Sequence, residues 1–287
     1  MADRFNNPVP DGTAVNFRTE AGSIEPGCSS ENQSGECFVL WRSQGDRPLD
    51  GRVTILATAI GEENFIDRNG NGIYDSDPNG DGATTDAEPF DDMGEAFLDA
   101  DENGLRGINE DYIDFDSSGE YEPNGGGTFT GVLCSGSLCD STTSLNVRAS
   151  TVIIMSGSNA VLGPSDYLVT GNGVNSFDST ALTLDVNENI IYTFTIIVRD
   201  ARDNPMPAGT VVSMQSSGAG EAQGEPPPPT GCTTSRADAD NQYEFSFKTD
   251  SVNAETPGLL DVLVTLPNQQ APQRVARINV TTRNNVP

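Results

Sequence analysis

The chain has 287 residues, of which 43 are acidic and 15 basic, so its formal net charge is −28. This balance disfavours binding to nucleic acid or to an anionic membrane, because both require clustered Lys and Arg. Histidine is absent, which removes the commonest general base and most zinc and copper sites. We therefore expect a protein that is not an enzyme and whose partners include cations.

The apolar residues occur in short β-branched runs, such as residues 53–56 and 190–198, bounded by Gly, Pro, Asn and Asp. Runs of this kind predict strands separated by turns. No long window shows helical periodicity, and none approaches the roughly 20 apolar residues of a membrane helix. The composition predicts an all-β protein without membrane insertion, long enough for two domains.

An internal repeat organises the chain. Residues 3–17 align without a gap with residues 200–214, sharing Asp, Asn-Pro, Pro, Gly-Thr and Val in register. This pattern predicts a turn followed by an alternating strand. The correspondence continues in three further pairs of segments: 38–42 with 244–248, 51–57 with 258–264, and 144–149 with 275–280. We expect two β-sandwich domains, residues 1–151 and 152–287.

The segment from Val198 to Met214, with Asn204-Pro205 and Pro207 at its turn, resembles the bacterial immunoglobulin-like domains of invasin- and intimin-type surface proteins. Residues 3–17 match the second half of the same motif. The resemblance covers both β modules and leaves the central acidic segment outside. It implies immunoglobulin-like sandwiches and an extracellular spacer or adhesive role, without identifying a receptor site.

The two copies differ at their beginnings. Residues 182–186 and 190–198 precede the second copy as its early strands, whereas nothing precedes Asp3 in the first. Either the sequence begins within the first domain, or that domain takes its opening strands from upstream sequence or from a neighbouring chain. In the last case the protein would be a subunit of an extracellular filament assembled by strand donation, because open strand edges invite pairing.

The copies also differ in their final hairpin. Residues 265–273 join the last two strands of the second copy, whereas about residues 60–143 fill this connection in the first. Residues 62–122 contain 20 acidic and two basic residues, a net charge of −18. Without neutralisation such a segment would repel itself and stay disordered.

Two stretches of this insertion, residues 77–88 and 99–110, fit the calcium loop D-x-[DN]-x-[DN]-G-x5-E. Oxygens at positions 1, 3 and 5 converge on the ion, Gly at position 6 permits the turn, position 7 offers its carbonyl, and Glu at position 12 completes the shell. The predicted ligands are Asp77, Asn79, Asp81, Ala83, Thr85 and Glu88 in one loop, and Asp99, Asp101, Asn103, Leu105 and Glu110 in the other.

Two weaker copies begin at Asp67 and Asp114. Their predicted ligands are Asp67, Asn69, Asn71, Ile73 and Asp75 in the first, and Asp114, Asp116, Ser118 and Glu120 in the second. Pro78 and Gly125 occupy position 12, so each loop either closes through Asp75, Asp77 or Glu122 or is an empty turn.

Glu, an aromatic residue, an aliphatic residue and Asp recur together at 63–67, 95–99 and 110–114. We interpret the aromatic–aliphatic pairs as a minimal core between ions. Pro89 and the nearby glycines argue against the helices that flank EF-hand loops. The loops resemble the helix-free tandem calcium repeats of extracellular matrix and bacterial surface proteins.

The cysteines form two close pairs. Cys28 with Cys37 and Cys134 with Cys139 are predicted disulfides, with free buried thiols as the alternative; Cys232 has no close partner. Disulfides imply an oxidising compartment, and therefore a secreted or cell-surface protein.

The expected function is that of a calcium-stabilised, non-catalytic spacer or adhesive segment, adjoining other domains of the same surface protein. One alternative is calcium-dependent binding of a glycan or protein receptor by the insertion, and another is the strand-donated filament, whose partner is a second copy. A carboxylate glycosidase or lyase is disfavoured, because calcium binding explains each acidic cluster better.

Overall fold

A computed structural model of the protein describes residues 1–218, 220–223, 226–252 and 254–284. The described chain is nearly all β, with helix limited to Pro164–Asp166 and Asp238–Asp240, and this confirms the expected all-β sandwich fold. No described helix is long and apolar enough to cross a membrane. Contacts divide the chain into a first unit, residues 1–48 and 52–153, and a second unit, residues 49–51 and 154–287. Residues 285–287 of the second predicted domain lie outside the described residues.

The strands of the first unit are β1 Ala14–Thr19, β2 Ser23–Ile24, β3 Gly27–Ser29, β4 Trp41–Arg42, β5 Arg52–Gly61, β6 Tyr74–Asp75, β7 Cys134–Ser135 and β8 Leu145–Ile154. Those of the second unit are β9 Ala160–Val161, β10 Tyr167–Thr170, β11 Val174–Asp178, β12 Thr183–Asn187, β13 Ile191–Ile197, β14 Arg199–Asp200, β15 Val211–Ser217, β16 Gly220–Gln223, β17 Gln242–Thr249, β18 Thr256–Thr265 and β19 Gln273–Arg283.

The second unit is a sandwich of two sheets with the orders β10-β13-β17-β16 and β11-β12-β19-β18-β15. The order β10-β13-β17-β16, together with the antiparallel pairing of β18 with both β15 and β19, follows the ABED and CFG strand orders of an immunoglobulin sandwich. Strand β12 runs parallel to β19 and lies between it and the edge strand β11. Alternate residues of each strand fill one core, in which Phe194, Ile196 and Phe247 are fully buried.

The first unit repeats part of this sandwich. Its sheet has the order β3-β1-β5-β8, and the two-stranded sheet β2-β4 is separate from it. In β2-β4, Ile24 lies opposite Trp41, as Ala222 lies opposite Phe247 between β16 and β17. The pair β2-β4 is therefore the counterpart of β16-β17, and its register agrees with the alignment of residues 38–42 with 244–248.

The repeated turn is reproduced bond for bond in the two units. The amide of Asp3 donates to the carbonyl of Asn7, and the amide of Asp200 donates to that of Asn204. The bridge between Ala2 and Pro8 matches the bridge between Arg199 and Pro205, 197 residues further along in both partners. The predicted repeat is confirmed at this turn. In the first unit no counterpart of β13 precedes it among the described residues.

Both predicted disulfides are present. Cys28 bonds Cys37 with a Cα–Cα distance of 5.9 Å, and Cys134 bonds Cys139 with a Cα–Cα distance of 5.8 Å. Cys232 is free and exposed. The two disulfides indicate an oxidising, extracytoplasmic environment.

Candidate metal centres

Four loops of the insertion share one backbone conformation, including the two whose sequences match the calcium pattern only in part. They begin at Asp67, Asp77, Asp99 and Asp114. The glycine at position 6 of each has a positive φ: Gly72 at 77°, Gly82 at 82°, Gly104 at 78° and Gly119 at 82°. A Cβ at any of them would meet no neighbour, so the left-handed backbone is what requires glycine there.

The first acid of each loop holds this conformation. Its carboxylate accepts the amide of the position-6 glycine, at 2.7 Å from Gly72 to Asp67 and at 2.8 Å from Gly104 to Asp99. The side-chain oxygen at position 5 accepts the amide at position 7; the pairs are Asn71 with Ile73, Asp81 with Ala83, Asn103 with Leu105, and Ser118 with Glu120. The oxygens at positions 1 and 5 are thus fixed in place by backbone amides.

The loops at Asp67 and Asp99 each follow a short segment that pairs antiparallel with another segment of the insertion. In one pair Phe65 bridges Phe90, and in the other Phe97 bridges Tyr112. Each bridge has two backbone hydrogen bonds, for example 2.8 Å from the Leu98 amide to the Asp111 carbonyl. Glutamates that precede the paired aromatic residues reach across each bridge to the other segment.

In the first pair, Glu88 accepts hydrogen bonds from the amides of Arg68, at 2.7 Å, and Asp75, at 3.0 Å. Reciprocally, Glu63 accepts the amide of Met93 at 2.7 Å. Both glutamates are 1% exposed. Glu88 is therefore placed beside the loop at Asp67, 20 residues away, although the sequence pattern assigned it to the loop at Asp77.

The second pair repeats the arrangement. Glu110 accepts the amide of Ala100 at 2.7 Å, and Glu95 accepts the amide of Phe115 at 2.8 Å. Glu95 also accepts the amide of Glu122. Each glutamate thus supports the loop that follows the other segment, which gives the pair an approximate two-fold symmetry.

Three groups of carboxylates converge as a result, each with ligand oxygens within 4.8 Å of one another. They are Asp77 with Asp81 and Asp86, Asp99 with Asp101 and Glu110, and Glu95 with Asp116 and Glu122. The second group matches the sequence prediction. In the first, Asp86 stands where Glu88 was expected; in the third, Glu122 joins as one of the anticipated alternatives and Glu95 is an additional acid.

The remaining predicted ligands lie on the same loops. Asn69 and Asn71 donate their side-chain amides to Asp75, each at 2.7 Å. Asn79 accepts the amide of Asp81, and Asp114 accepts the amide of Ser118. Thr85 and Glu120 are exposed.

Burial and hydrogen bonding act oppositely on these carboxyl groups. Burial raises the pKa values of Glu63 and Glu95, although the backbone amides that they accept oppose the shift. Hydrogen bonds from Asn69 and Asn71 lower the pKa of Asp75. A buried oxygen of Asp86, Oδ1, has no hydrogen-bond partner. A cation placed among these oxygens would offset both the burial of charge and this missing partner.

Two small aromatic clusters support the paired segments. Phe65, Tyr74, Phe90 and Phe129 pack together, and Tyr74 stacks on Phe129 with ring centroids 4.5 Å apart. Ile66, which was expected in this core, is instead 62% exposed. In the other pair Tyr121 contacts Phe97 and Tyr112, and the guanidinium of Arg106 lies over both tyrosine rings.

The second pair of segments is anchored to the sheet of the first unit. Leu98, Ala96 and Ile113 pack on Leu56 of β5. The Thr54 hydroxyl donates to the carbonyl of Asp99 at 2.8 Å, which ties the start of a loop to the same strand. The insertion thereby covers one face of this sheet.

Sequence reasoning missed Asp86 and Glu95 as site acids, and it missed the buried Glu63 as a support of the paired segments. A signal for the segment pairing was present, because residues 88–92 read Glu-Pro-Phe-Asp-Asp and form a fourth copy of the Glu, aromatic and Asp pattern. Two pairs of such segments account for all four copies.

Comparison with protein-family models, with curated proteins and with solved structures found no match to this chain. Inference about its function therefore rests on the chain's own geometry.

Proposed function

We propose that the protein is a calcium-stabilised, non-catalytic segment of a secreted or cell-surface bacterial protein, where it serves as a spacer or adhesive module. The observation that carries this proposal is the shared conformation of four acidic loops, three of which bring carboxylates together in groups of three. The immunoglobulin-like strand order of the second unit and the resemblance of the turn motif to invasin- and intimin-type domains favour the surface role.

Calcium is the cation that best suits these groups. The candidate donors are carboxylate, amide, hydroxyl and carbonyl oxygens, without nitrogen or sulfur, and hard cations prefer such oxygens. Calcium accepts six to eight oxygens in a flexible arrangement, whereas magnesium demands a regular octahedron and retains waters. The four loops differ in which of their positions carry acids, so their coordination shells would be irregular. Calcium tolerates irregular coordination, and this favours calcium over magnesium.

Calcium would stabilise the insertion by neutralising the net charge of −18 on its residues 62–122. Apolar contacts in the insertion are confined to small clusters such as Phe65, Tyr74 and Phe129, so ion binding would supply much of the folding free energy. A site filled at 100 times its dissociation constant adds about 2.7 kcal/mol to stability. An ordered insertion would stiffen the module, which is what a spacer requires.

Calorimetric titration with calcium, combined with thermal unfolding in calcium and in excess chelator, tests the proposal. We expect two or more ions per chain and a large fall in the unfolding temperature of the first unit on chelation. Glu110→Gln should remove one ion, because Glu110 belongs to a carboxylate group. The control is Asp111→Asn, which changes an exposed neighbour outside these groups. Absence of both binding heat and chelator sensitivity would overturn the proposal.

A further inference from the structure

The sheet of the first unit exposes apolar residues whose counterparts in the second unit are buried. Phe17, Ile55 and Val147 are partly exposed. Their repeat counterparts are Met214, Val262 and Ile278, which are 8%, 0% and 0% exposed. The second pair of segments does not account for this difference, because it packs on Leu56, on the opposite face of β5.

In the second unit, strand β13 covers the corresponding face. Tyr192, Phe194 and Ile196 of β13 are fully buried in the core. The same strand pairs along its length with β17, from Ile191 opposite Lys248 to Ile197 opposite Gln242. It then runs directly into the repeated turn at Asp200.

The first unit contains the two elements that would lie beside such a strand, an apolar groove on the sheet and an open strand edge. A groove of about 800 Å³ lies along the sheet, lined by Val15, Ala57, Ala59, Val147 and the N-terminal residues Met1 and Ala2. Among the described residues, β4 pairs only with β2, so its other edge is open where β17 pairs with β13. The Trp41 indole donates to the Thr19 hydroxyl at 3.2 Å, which places β4 over the same face of β1.

We propose that this groove is a strand-acceptor site, which takes up an extended segment continuous with the N-terminal side of Ala2 and carrying apolar side chains at alternate positions. The segment would pair with the open edge of β4 and lay its apolar side chains on Val15, Ala57 and Val147. The occupant is assigned to a segment joined at Ala2 because the Ala2–Pro8 bridge has the register of Arg199–Pro205, which directly follows β13.

The groove is also lined by Glu63 and Gly72 of the insertion, so the acceptor site is tested with calcium present throughout and is thereby kept separate from the calcium proposal. The backbone edge supplies hydrogen bonds, and pockets for alternate side chains supply specificity, as in other strand-addition sites. A chain with an unfilled groove should bind a hydrophobic dye there, because contiguous exposed apolar surface does so.

The test places a second copy of the sequence of residues 190–198 in front of Ala2 of the full chain, in calcium throughout. We expect the unfolding midpoint of the first unit to rise by roughly 5 °C or more. Dye binding should fall, and the fluorescence of Trp41, the only tryptophan, should change. The control extension has Ser in place of the copies of Tyr192, Phe194 and Ile196 and should produce none of these changes.

Substitution of a residue that lines the groove tests whether the added stability depends on the groove. Val147→Asp should remove the gain from the apolar extension and, in the unextended chain, reduce dye binding. Ser150→Asp, at an exposed position on the opposite face of β8, should leave both unchanged. Equal effects of the apolar and Ser-substituted extensions would overturn the proposal. Stabilisation by the free peptide of residues 190–198, with none from the joined copy, would overturn the assignment of the occupant to a segment joined at Ala2.

Discussion

The carboxylate of Glu88 accepts a hydrogen bond of 2.7 Å from the amide of Arg68, 20 residues earlier in the chain. Glu110 makes the equivalent bond to the amide of Ala100, only 10 residues earlier. One glutamate thus accepts the backbone amide of a distant loop and the other that of its own loop, although both reach across an antiparallel bridge. Pairing of segments, and not spacing along the sequence, brings Glu88 to the backbone of the loop at Asp67.

Single substitutions of Glu88 and of Asp86 should show which of the loops at Asp67 and Asp77 each acid serves. Glu88→Gln removes a buried charge beside the Asp67 loop, and we expect calcium affinity there to fall about tenfold or more. Asp86→Asn should weaken the Asp77 loop instead. Calcium titration followed by the amide NMR signals of Gly72 and Gly82 would report the two sites separately. Loss of the Gly82 response in Glu88→Gln would restore the assignment made from spacing.

The position-6 glycines should be more sensitive to substitution than glycines that lack a positive φ and have room for a Cβ. Gly104→Ala places a Cβ on a backbone with φ of 78°, and we expect a cost of about 1 kcal/mol in the free energy of unfolding of the first unit. Gly231→Ala is the matched control, because a Cβ there also meets nothing and its φ is not positive. Chemical denaturation of each variant in calcium checks the difference; equal costs would contradict the backbone argument.

The disulfide between Cys134 and Cys139 closes a short loop beside the aromatic cluster of Phe65, Tyr74 and Phe129. Replacing both cysteines by Ala should lower the unfolding free energy of the first unit by about 2 kcal/mol, since the unfolded chain gains entropy. Unfolding of the second unit should be unchanged. Cys232→Ser provides the control, because this cysteine is free and exposed. A fall in the unfolding free energy of the second unit would show that the effect of this disulfide is not confined to the first unit.

The ion pair of Asp185 with Arg283 should make the second unit sensitive to acid. Hydrogen bonds from the Arg283 guanidinium hold the pKa of Asp185 below its ordinary value of 3.8. The unfolded chain therefore binds more protons in this range, so the stabilisation is present above pH 3.8 and is lost as the pH falls through the folded pKa. Asp185→Asn should cost up to about 1 kcal/mol at pH 7, because the pair is partly exposed.

Urea unfolding of the second unit at a series of pH values measures this effect. The difference between the native chain and Asp185→Asn should shrink as the pH falls below 3.8. Asp250→Asn, at an exposed position of the same unit, should show no such convergence. A constant difference across the series would exclude a titrating ion pair as its source.

Local chemistry in the sequence was sufficient to predict several features. The shared turn at Asp3 and Asp200, the alternating strands and the two disulfides all follow from residues that are neighbours or nearly so. The conformation of the acidic loops is equally local, because each first acid binds the amide of the glycine five residues later. These features need no information from distant parts of the chain.

Tertiary structure decided the rest. The sequence indicated which loops contain acids, but only the antiparallel bridges of Phe65 with Phe90 and of Phe97 with Tyr112 decided which glutamate supports which loop. It did not indicate that segments of the insertion would pack on Leu56 while a groove lined by Val15, Ala57 and Val147 lies on the sheet of the first unit. Such long-range choices depend on which buried surfaces and backbone hydrogen bonds can be satisfied together, and spacing along a chain does not specify that.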